Sequence, residues 1–397
     1  LESADRGADV DEHELLRVIE EWGDASERAG NPDDAHTAYT RARKLVPAGS
    51  ATMLRLLRKH ARVAERAGSW VASLRWVTRG LKASSSEVGE ELDVERAELF
   101  LTAALVRSFQ GDDHTAMDLA RQAEQLAETV GARRTIAQAN LQLQMCCSNL
   151  SLVETAAAHG LRALESFELL DDHLGLANLR LNLGVSCYDE GRWDQALHHY
   201  ARSVVEYEIV GDLVGAALTQ NNRAEVLTDQ GHDDEAWVTL EDARRGFRAT
   251  SYRMGVAATS SALGRLATRR GDLDGALRWL TEAKDEFTAL DSAYLLADNA
   301  VRFVELDVWR GAFEDALDAV EGVQAAIDAT GPTPAMSAAL SRLRAWALTG
   351  AERTRGRARA RALLPVWTAA IDRARAEGFE YEVGLAIDAA IAVLGGA

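Results

Sequence analysis

The sequence predicts an all-α fold, a right-handed α-solenoid of about nine helical hairpins closed by a C-terminal capping helix. Three observations carry that expectation. Gly111, Gly191, Gly231, Gly271 and Gly311 each stand five residues before an alanine, at Ala116, Ala196, Ala236, Ala276 and Ala316. The glycines are 80, 40, 40 and 40 residues apart, and Ser151 with Ala156 fills the missing step. The composition favours helix throughout: 47% of residues are hydrophobic, Ala, Leu, Arg and Glu are abundant, and only 5 of 397 residues are proline. Apolar residues also recur at helical spacing on both sides of the turn glycines. A fixed period of this length stacks supersecondary units that bury their apolar faces on one another. Binding along an extended surface is therefore expected, rather than chemistry in a pocket.

The elements follow in order. Residues 1–12, acidic and glycine-containing, read as a mobile tail. The repeat array is expected over residues 13–378, and its first two turns are weak, with Gly30 before Ala35 and Gly68 before Ser73 and Leu74. A longer loop at 83–91 accounts for the 43-residue step from Gly68 to Gly111. Turns near 151, 191, 231, 271 and 311 then keep the period. Residues 177–210 serve as the type unit. Leu179, Leu183, Val185 and Cys187 keep helical spacing up to Gly191, and Ala196, Leu197, Tyr200, Val204 and Ile209 resume it. Gly191 supplies the backbone conformation that ends the first helix. Asp194 opens the second, where a carboxylate favours the positive end of the helix dipole, and Asp113, Asp233, Asp234, Asp274 and Glu314 repeat it. Ala196 and its equivalents let the two helices approach closely. A ninth hairpin is expected from Ala335–Thr349 and Arg357–Glu377, joined by a polar loop from Gly350 to Gly356, with a capping helix and tail over 379–397.

Charge and motifs narrow the function. A net charge of −18 disfavours broad attraction to nucleic acid or anionic membrane. No apolar stretch approaches the roughly 20 residues of a membrane span. The 3 cysteines, with Cys146 and Cys147 adjacent, fit no disulfide framework or metal spacing and suit a reducing cytosol, so a cytoplasmic location is expected. Cys147 and Cys187 share one repeat position, a small core site. There is no Walker-type Gly-Lys-Ser, no Gly-x-Ser-x-Gly elbow and no nucleophile beside a base and an orienting acid. His198 and His199 are adjacent, so they cannot present an i, i+4 ligand pair. No catalytic residue, metal or cofactor is therefore expected, and the chain reads as a non-enzyme. It opens on Leu1 rather than methionine, which suggests a trimmed chain or an excised fragment.

The run Leu183, Gly184, Tyr188, Gly191, Ala196 and Tyr200 resembles the tetratricopeptide repeat (TPR): a Leu-Gly pair, an aromatic, a turn glycine, a packing alanine and a second aromatic. Leu263, Gly264, Gly271, Ala276 and Leu280 repeat most of it. The period exceeds the standard 34, and the surplus is expected in extended helices and in loops such as Val210-Gly211-Asp212-Leu213. This long variant resembles the repeats of GoLoco-binding polarity adaptors, of kinesin light chains, and of C-terminal arrays on actinobacterial nucleotide cyclases and ATPase-type transcription regulators. The stretch Ala376-Glu377-Gly378-Phe379-Glu380-Tyr381-Glu382 is most similar to the last group.

The resemblance implies that the first helix of each hairpin lines a concave groove. With Leu183 in the seventh place and Gly184 in the eighth, the inward positions are Asn182, Asn221, Asn222, Arg302 and Arg342, then Arg265, Arg269, Asp189, Asp229 and Trp309. An amide both donates and accepts, so it grips a peptide bond regardless of sequence, and a guanidinium fork pairs with a carboxylate. The expected partner-binding groove is accordingly Asn182, Asn221, Asn222, Arg265, Arg269, Arg302, Trp309 and Arg342. The expected function is a non-catalytic protein- or peptide-binding module, the regulatory or sensor part of a bacterial signalling or transcription-regulatory protein. Its ligand would be an extended or helical, acidic segment of a partner or of other domains of the same polypeptide.

Two alternatives stand beside it. One is a peptide-pheromone sensor of Gram-positive bacteria, similar in repeat length and inner asparagines, although residues 1–50 look like another repeat rather than an output domain. The other is a helical enzyme with an unrecognised site. Arg55, Arg58, Lys59, Arg62 and Arg66 recur at helical spacing as a candidate dock for an acidic peptide. Arg353, Arg355, Arg357, Arg359 and Arg361 form a basic run whose alternate spacing scatters it around a helix, which reads as a solvated loop and helix start. Tyr188, Tyr200, Trp193, Trp237 and Trp279 are expected to pack between helices.

Overall fold

A computed structural model describes residues 11–28, 31–84, 88–150, 152–330, 334–355 and 362–395. All regular structure among these residues is helical, in consecutive hairpins that divide into two compact units, Leu1–Leu179 and Arg180–Ala397. The first unit contains α1 (Glu12–Arg28), α2 (Pro32–Ala42), α3 (Ala51–Arg66), α4 (Trp70–Ala83), α5 (Glu90–Phe109), α6 (Asp113–Thr129), α7 (Arg133–Asn149), α8 (Val153–Leu169) and the start of α9 (His173–Asp189). The second contains the rest of α9, then α10 (Trp193–Val210), α11 (Leu213–Asp229), α12 (Asp233–Ala249), α13 (Arg253–Arg269) and α14 (Leu273–Ala289). It continues with α15 (Ala293–Trp309), α16 (Phe313–Ala329), α17 (Pro334–Arg355), α18 (Leu364–Ala376) and α19 (Glu380–Gly395). Odd-numbered helices open the hairpins and even-numbered helices close them.

From α6 to α16 the helices start every 20 residues, so each 40-residue repeat is two near-equal halves. Most of these helices are 17 residues long with short links, which puts the surplus over a standard repeat into the helices rather than the loops. The backbone turns through the left-handed region at Gly111, Gly131, Asp171, Gly191, Gly211, Gly231, Ser251, Gly271, Asp291 and Gly311. Within hairpins that residue is glycine; between hairpins Asp171, Ser251 and Asp291 also occupy it. A left-handed non-glycine residue costs about 1–2 kcal/mol, partly offset by the about 0.4–1 kcal/mol by which a side chain restricts the unfolded chain. Exposed Ser251, with φ 54°, should therefore gain roughly 0.5–1 kcal/mol on replacement by glycine, measured as a raised urea midpoint.

Packing follows the period. Ala116, Ala196, Ala236, Ala276 and Ala316 are fully buried where the second helix of a hairpin meets the first. Gly184 admits the ring of Tyr200 so closely that a Cβ at that position would stand 2.4 Å from it. Gly215 admits Tyr207 of the preceding hairpin in the same way, also at 2.4 Å. Aromatic rings thus lock both the contact within a hairpin and the contact to the next. Trp237 and Trp279 meet edge to face at 6.4 Å between centroids.

The ninth hairpin departs from expectation. Helix α17 runs unbroken through Gly350 to Arg355, so the polar loop predicted to begin at Gly350 is helical there. The physical reason is packing: the ring of Phe313 lies where a Cβ of Gly350 would be, 2.4 Å away. This glycine makes room rather than a turn. Gly30, Ser151, residues 1–10 of the expected tail, and Arg357, Arg359 and Arg361 lie outside the described residues. Arg353 is in the last turns of α17, and its Nη1 donates to the Val393 carbonyl at 3.2 Å. Among the described residues no helix is long and apolar enough to cross a membrane.

In the first unit His60, 1% exposed, is stacked on Trp76 at 4.3 Å between centroids and joined to His36 through their Nδ1 atoms at 2.8 Å. Burial above all, with His36, Arg43 and Arg79 adding to it, depresses the His60 pKa to about 3. A depressed histidine contributes stability fully above its unfolded pKa near 6.5 and loses it as pH falls toward 3. The urea midpoint of the first unit should accordingly drop by pH 4, and it should drop less in His60→Phe.

Candidate functional site

In the first unit the five cations of α3 are taken up by carboxylates on both flanking odd helices. Arg55 donates to Glu20 at 2.9 and 3.1 Å. Lys59 meets Glu20 at 2.8 Å and Asp24 at 2.6 Å. Arg62 and Arg66 both reach Glu27, at 2.7 and 3.4 Å, and Arg58 reaches Glu95 on α5 at 3.0 Å. The acidic-peptide dock expected here is corrected: an acidic ligand would have to displace acids the chain already provides.

The second unit repeats this arrangement more deeply. Arg265 on α13 donates to Glu225 at 2.6 Å and Asp229 at 2.7 Å, both on α11, and its Nε lies 3.7 Å from Glu305 on α15. Arg269 joins Asp229 at 2.8 Å and Glu305 at 3.3 Å. Arg302 on α15 donates to Asp298 one turn away at 3.1 Å, and also to Glu225 at 2.9 Å. That last bond skips a repeat. It passes the place on α13 equivalent to Arg302 itself, where Ala262 is small and buried. Arg342 on α17 donates to Glu382 on α19 at 2.7 Å. The side chain of Asp229 is 0% exposed and that of Glu305 5%, so these pairs are interior ones.

Electrostatics follow the geometry. Burial pushes Glu225 up, but Arg302 and Arg265 outweigh it and hold the carboxyl at about 2. Glu305 is likewise raised by burial and brought down to about 2 by Arg269, Arg265, Arg342 and Arg302. Burial disfavours the Arg265 charge, yet Asp229 and Glu225 raise its pKa well above the usual value. Among the described residues no cation pairs with Asp189, and burial, then Glu190, lifts it to about 7.

Of the eight residues expected to form the groove, Arg265, Arg269, Arg302 and Arg342 are thus brought together with acids of the same chain. The amides differ. Asn182 on α9 and Asn222 on α11, both half-buried, have side chains without a hydrogen-bond partner among the described residues. The Oδ1 of neighbouring Asn221 and the Oε1 of Gln220 are buried and unpartnered. Trp309 at the end of α15 is 41% exposed and tilted against Trp346 at 5.8 Å between centroids.

The acids Glu225, Glu305 and Glu382 were missed as members of the site, though the period carries them. Positions 225, 265 and 305 read Glu, Arg, Glu, and positions 302, 342 and 382 read Arg, Arg, Glu. Charge alternation down the first column is the signal of a cation sandwiched between neighbouring helices, and the Arg-to-Glu step that ends the second is the signal of a single pair.

Solved structures share this architecture. The chain is similar to a Rap protein complexed with competence and sporulation factor, at 12% identity and TM-score 0.61, over 91% of this chain and 99% of that one. It is similar to aspartyl phosphate phosphatase F from Bacillus subtilis, at 12% identity and TM-score 0.57, over 92% and 95% of the two chains. A signal-transduction ATPase (STAND) protein with a tetratricopeptide repeat sensor from Pyrococcus horikoshii matches at 12% identity and TM-score 0.51, over 91% of this chain and 54% of that one. No family model and no curated protein sequence matches. At such identities the likeness is one of fold: like these structures, the chain is an all-helical repeat protein built of consecutive hairpins.

Proposed function

We propose that the chain is a non-catalytic, cytoplasmic peptide- or protein-binding module, the regulatory or sensor part of a bacterial signalling protein. One observation carries the reading. On the adjacent odd helices α9 and α11 the amides of Asn182, Asn221 and Asn222 are left unengaged among the described residues, while the cations Arg265 and Arg302 of the next odd helices, α13 and α15, are consumed by the chain's own acids. Free amides at a 40-residue repeat grip the backbone of an extended or helical segment, and the arginines set the frame behind them. The likeness to a Rap protein solved with competence and sporulation factor supports a peptide sensor as the particular form. The buried free thiols, with Cys146 pushed up by burial to about 12, suit a reducing compartment.

The test is a binding isotherm for a partner captured from the source organism, with Asn182→Ala and Asn222→Ala singly and together. Each substitution should weaken binding about fivefold, on the order of 1 kcal/mol, with the urea midpoint unchanged. A double variant that binds like the parent moves the site to the even helices.

A further inference from the structure

Within the second unit the last helix comes round onto the first. The ring of Tyr381, in the first turn of α19, stacks on Tyr188 of α9 with centroids 4.5 Å apart and planes at 24°. Tyr188 in turn donates its hydroxyl to Asp229 at 2.5 Å. Glu380 stands over the turn glycine Gly191, where a Cβ would sit 3.5 Å from its own. Glu382 accepts the Arg342 bond, with both side chains at most 5% exposed. Two different anchors therefore hold α19. Its later turns join an apolar cluster of Ala345, Trp367, Ala370 and Ala389. The polar and aromatic contacts of its first turn are the Tyr188 stack, an edge contact of Tyr381 with Phe379 at 6.1 Å and the Arg342 ion pair, while Val383 packs on Ala338 and Ala374. The stack and the ion pair are contacts that another segment of the same chemistry reproduces.

We infer that the first turn of α19 is an intramolecular occupant of the binding surface: Tyr381 and Glu382 hold the places that an aromatic residue followed by an acidic one takes in an incoming ligand segment. The inference rests on the peptide-binding reading above and names the class of peptide. An arginine whose buried carboxylate partner leaves is strongly driven to take another, and an exposed Tyr188 face offers a second ring its stacking surface. A ligand carrying such a pair displaces the first turn of α19 and opens the contact between α9 and α19, while the Trp367 cluster keeps the helix attached. The ligand is thereby read out as a change of shape.

The experiment uses the full chain and a fluorescein-labelled peptide of its own residues 377–386 as the probe, followed by fluorescence anisotropy. The parent should bind weakly because its own turn occupies the site. Tyr381→Ala with Glu382→Gln should bind about tenfold tighter or more, because the open fraction rises. Adding Arg342→Ala should return affinity to the parent level. Glu382→Gln alone, which is isosteric, should shift affinity the same way by less, so the proposal stays testable even if the double variant fails to fold by circular dichroism. Equal affinity of parent and variants, including no binding to any of them, overturns it. Failure here together with weakened partner binding in Asn182→Ala or Asn222→Ala removes only the α19 inference. Peptide binding by the opened variant together with unaltered partner binding in the asparagine variants removes only the groove reading.

Discussion

Arg265→Ala is expected to destabilise the second unit by about 3–5 kcal/mol, the range for removing one partner of a buried ion pair. Three acids from two helices converge on this guanidinium, and the side chain of Asp229 among them has no solvent exposure. Truncation leaves Asp229 with Arg269 and the Tyr188 hydroxyl, Glu225 with Arg302, and Glu305 with Arg269. None of these recovers the fork geometry of Arg265, so the cost is that of charges left under-compensated in the interior. Arg265→Lys keeps the charge but meets three acceptors as a single point, and it should recover only part of the loss. Native-state hydrogen exchange reads the effect as lost protection in α11, α13 and α15. Unchanged protection there would mean that water, not Arg265, satisfies these acids.

Ala236→Glu should cost several kcal/mol by a different route. Ala236 on α12 is fully buried among Ala224, Leu227, Leu240, Ala262, Leu263 and Leu266. A carboxyl there either remains charged without a partner or is forced neutral. Its pKa would be raised in the folded state, so the penalty grows as pH rises through the unfolded glutamate value. Val238→Glu is the control on the same helix: Val238 is 59% exposed, and its replacement should shift the midpoint little. Equal midpoints for the two variants would show that Ala236 is not at a helix contact.

The hairpins were legible in the sequence because one glycine and one alanine recur at positions fixed by the backbone of the turn and by the helix contact. Gly350 misled because one residue type answers two needs. At Gly311 it permits a left-handed turn, at Gly350 it makes room for Phe313, and only the ring 37 residues upstream distinguishes them. The candidate site was half legible. Asn182 and Asn222 are picked out by their repeat position, and their amides have no hydrogen-bond partner among the described residues. Arg265 reads in sequence as a ligand cation because its own helix offers it no acid, whereas its partners lie one repeat before and one repeat after. The reach of Arg302 to Glu225 was beyond any sequence pattern, since it depends on how tightly the odd helices curve past Ala262.

That bond also bears on how the second unit holds together. In a simple helical array each repeat touches only its neighbours and stability is a nearest-neighbour sum. The Glu225–Arg302 pair joins helices two repeats apart and makes the odd helices one polar framework rather than a chain of hairpins. The most direct measurement is a double-mutant cycle on Glu225→Gln and Arg302→Gln by urea denaturation of the full chain. The framework predicts a coupling of about 1 kcal/mol or more, whereas effects that add within about 0.3–0.5 kcal/mol would contradict it.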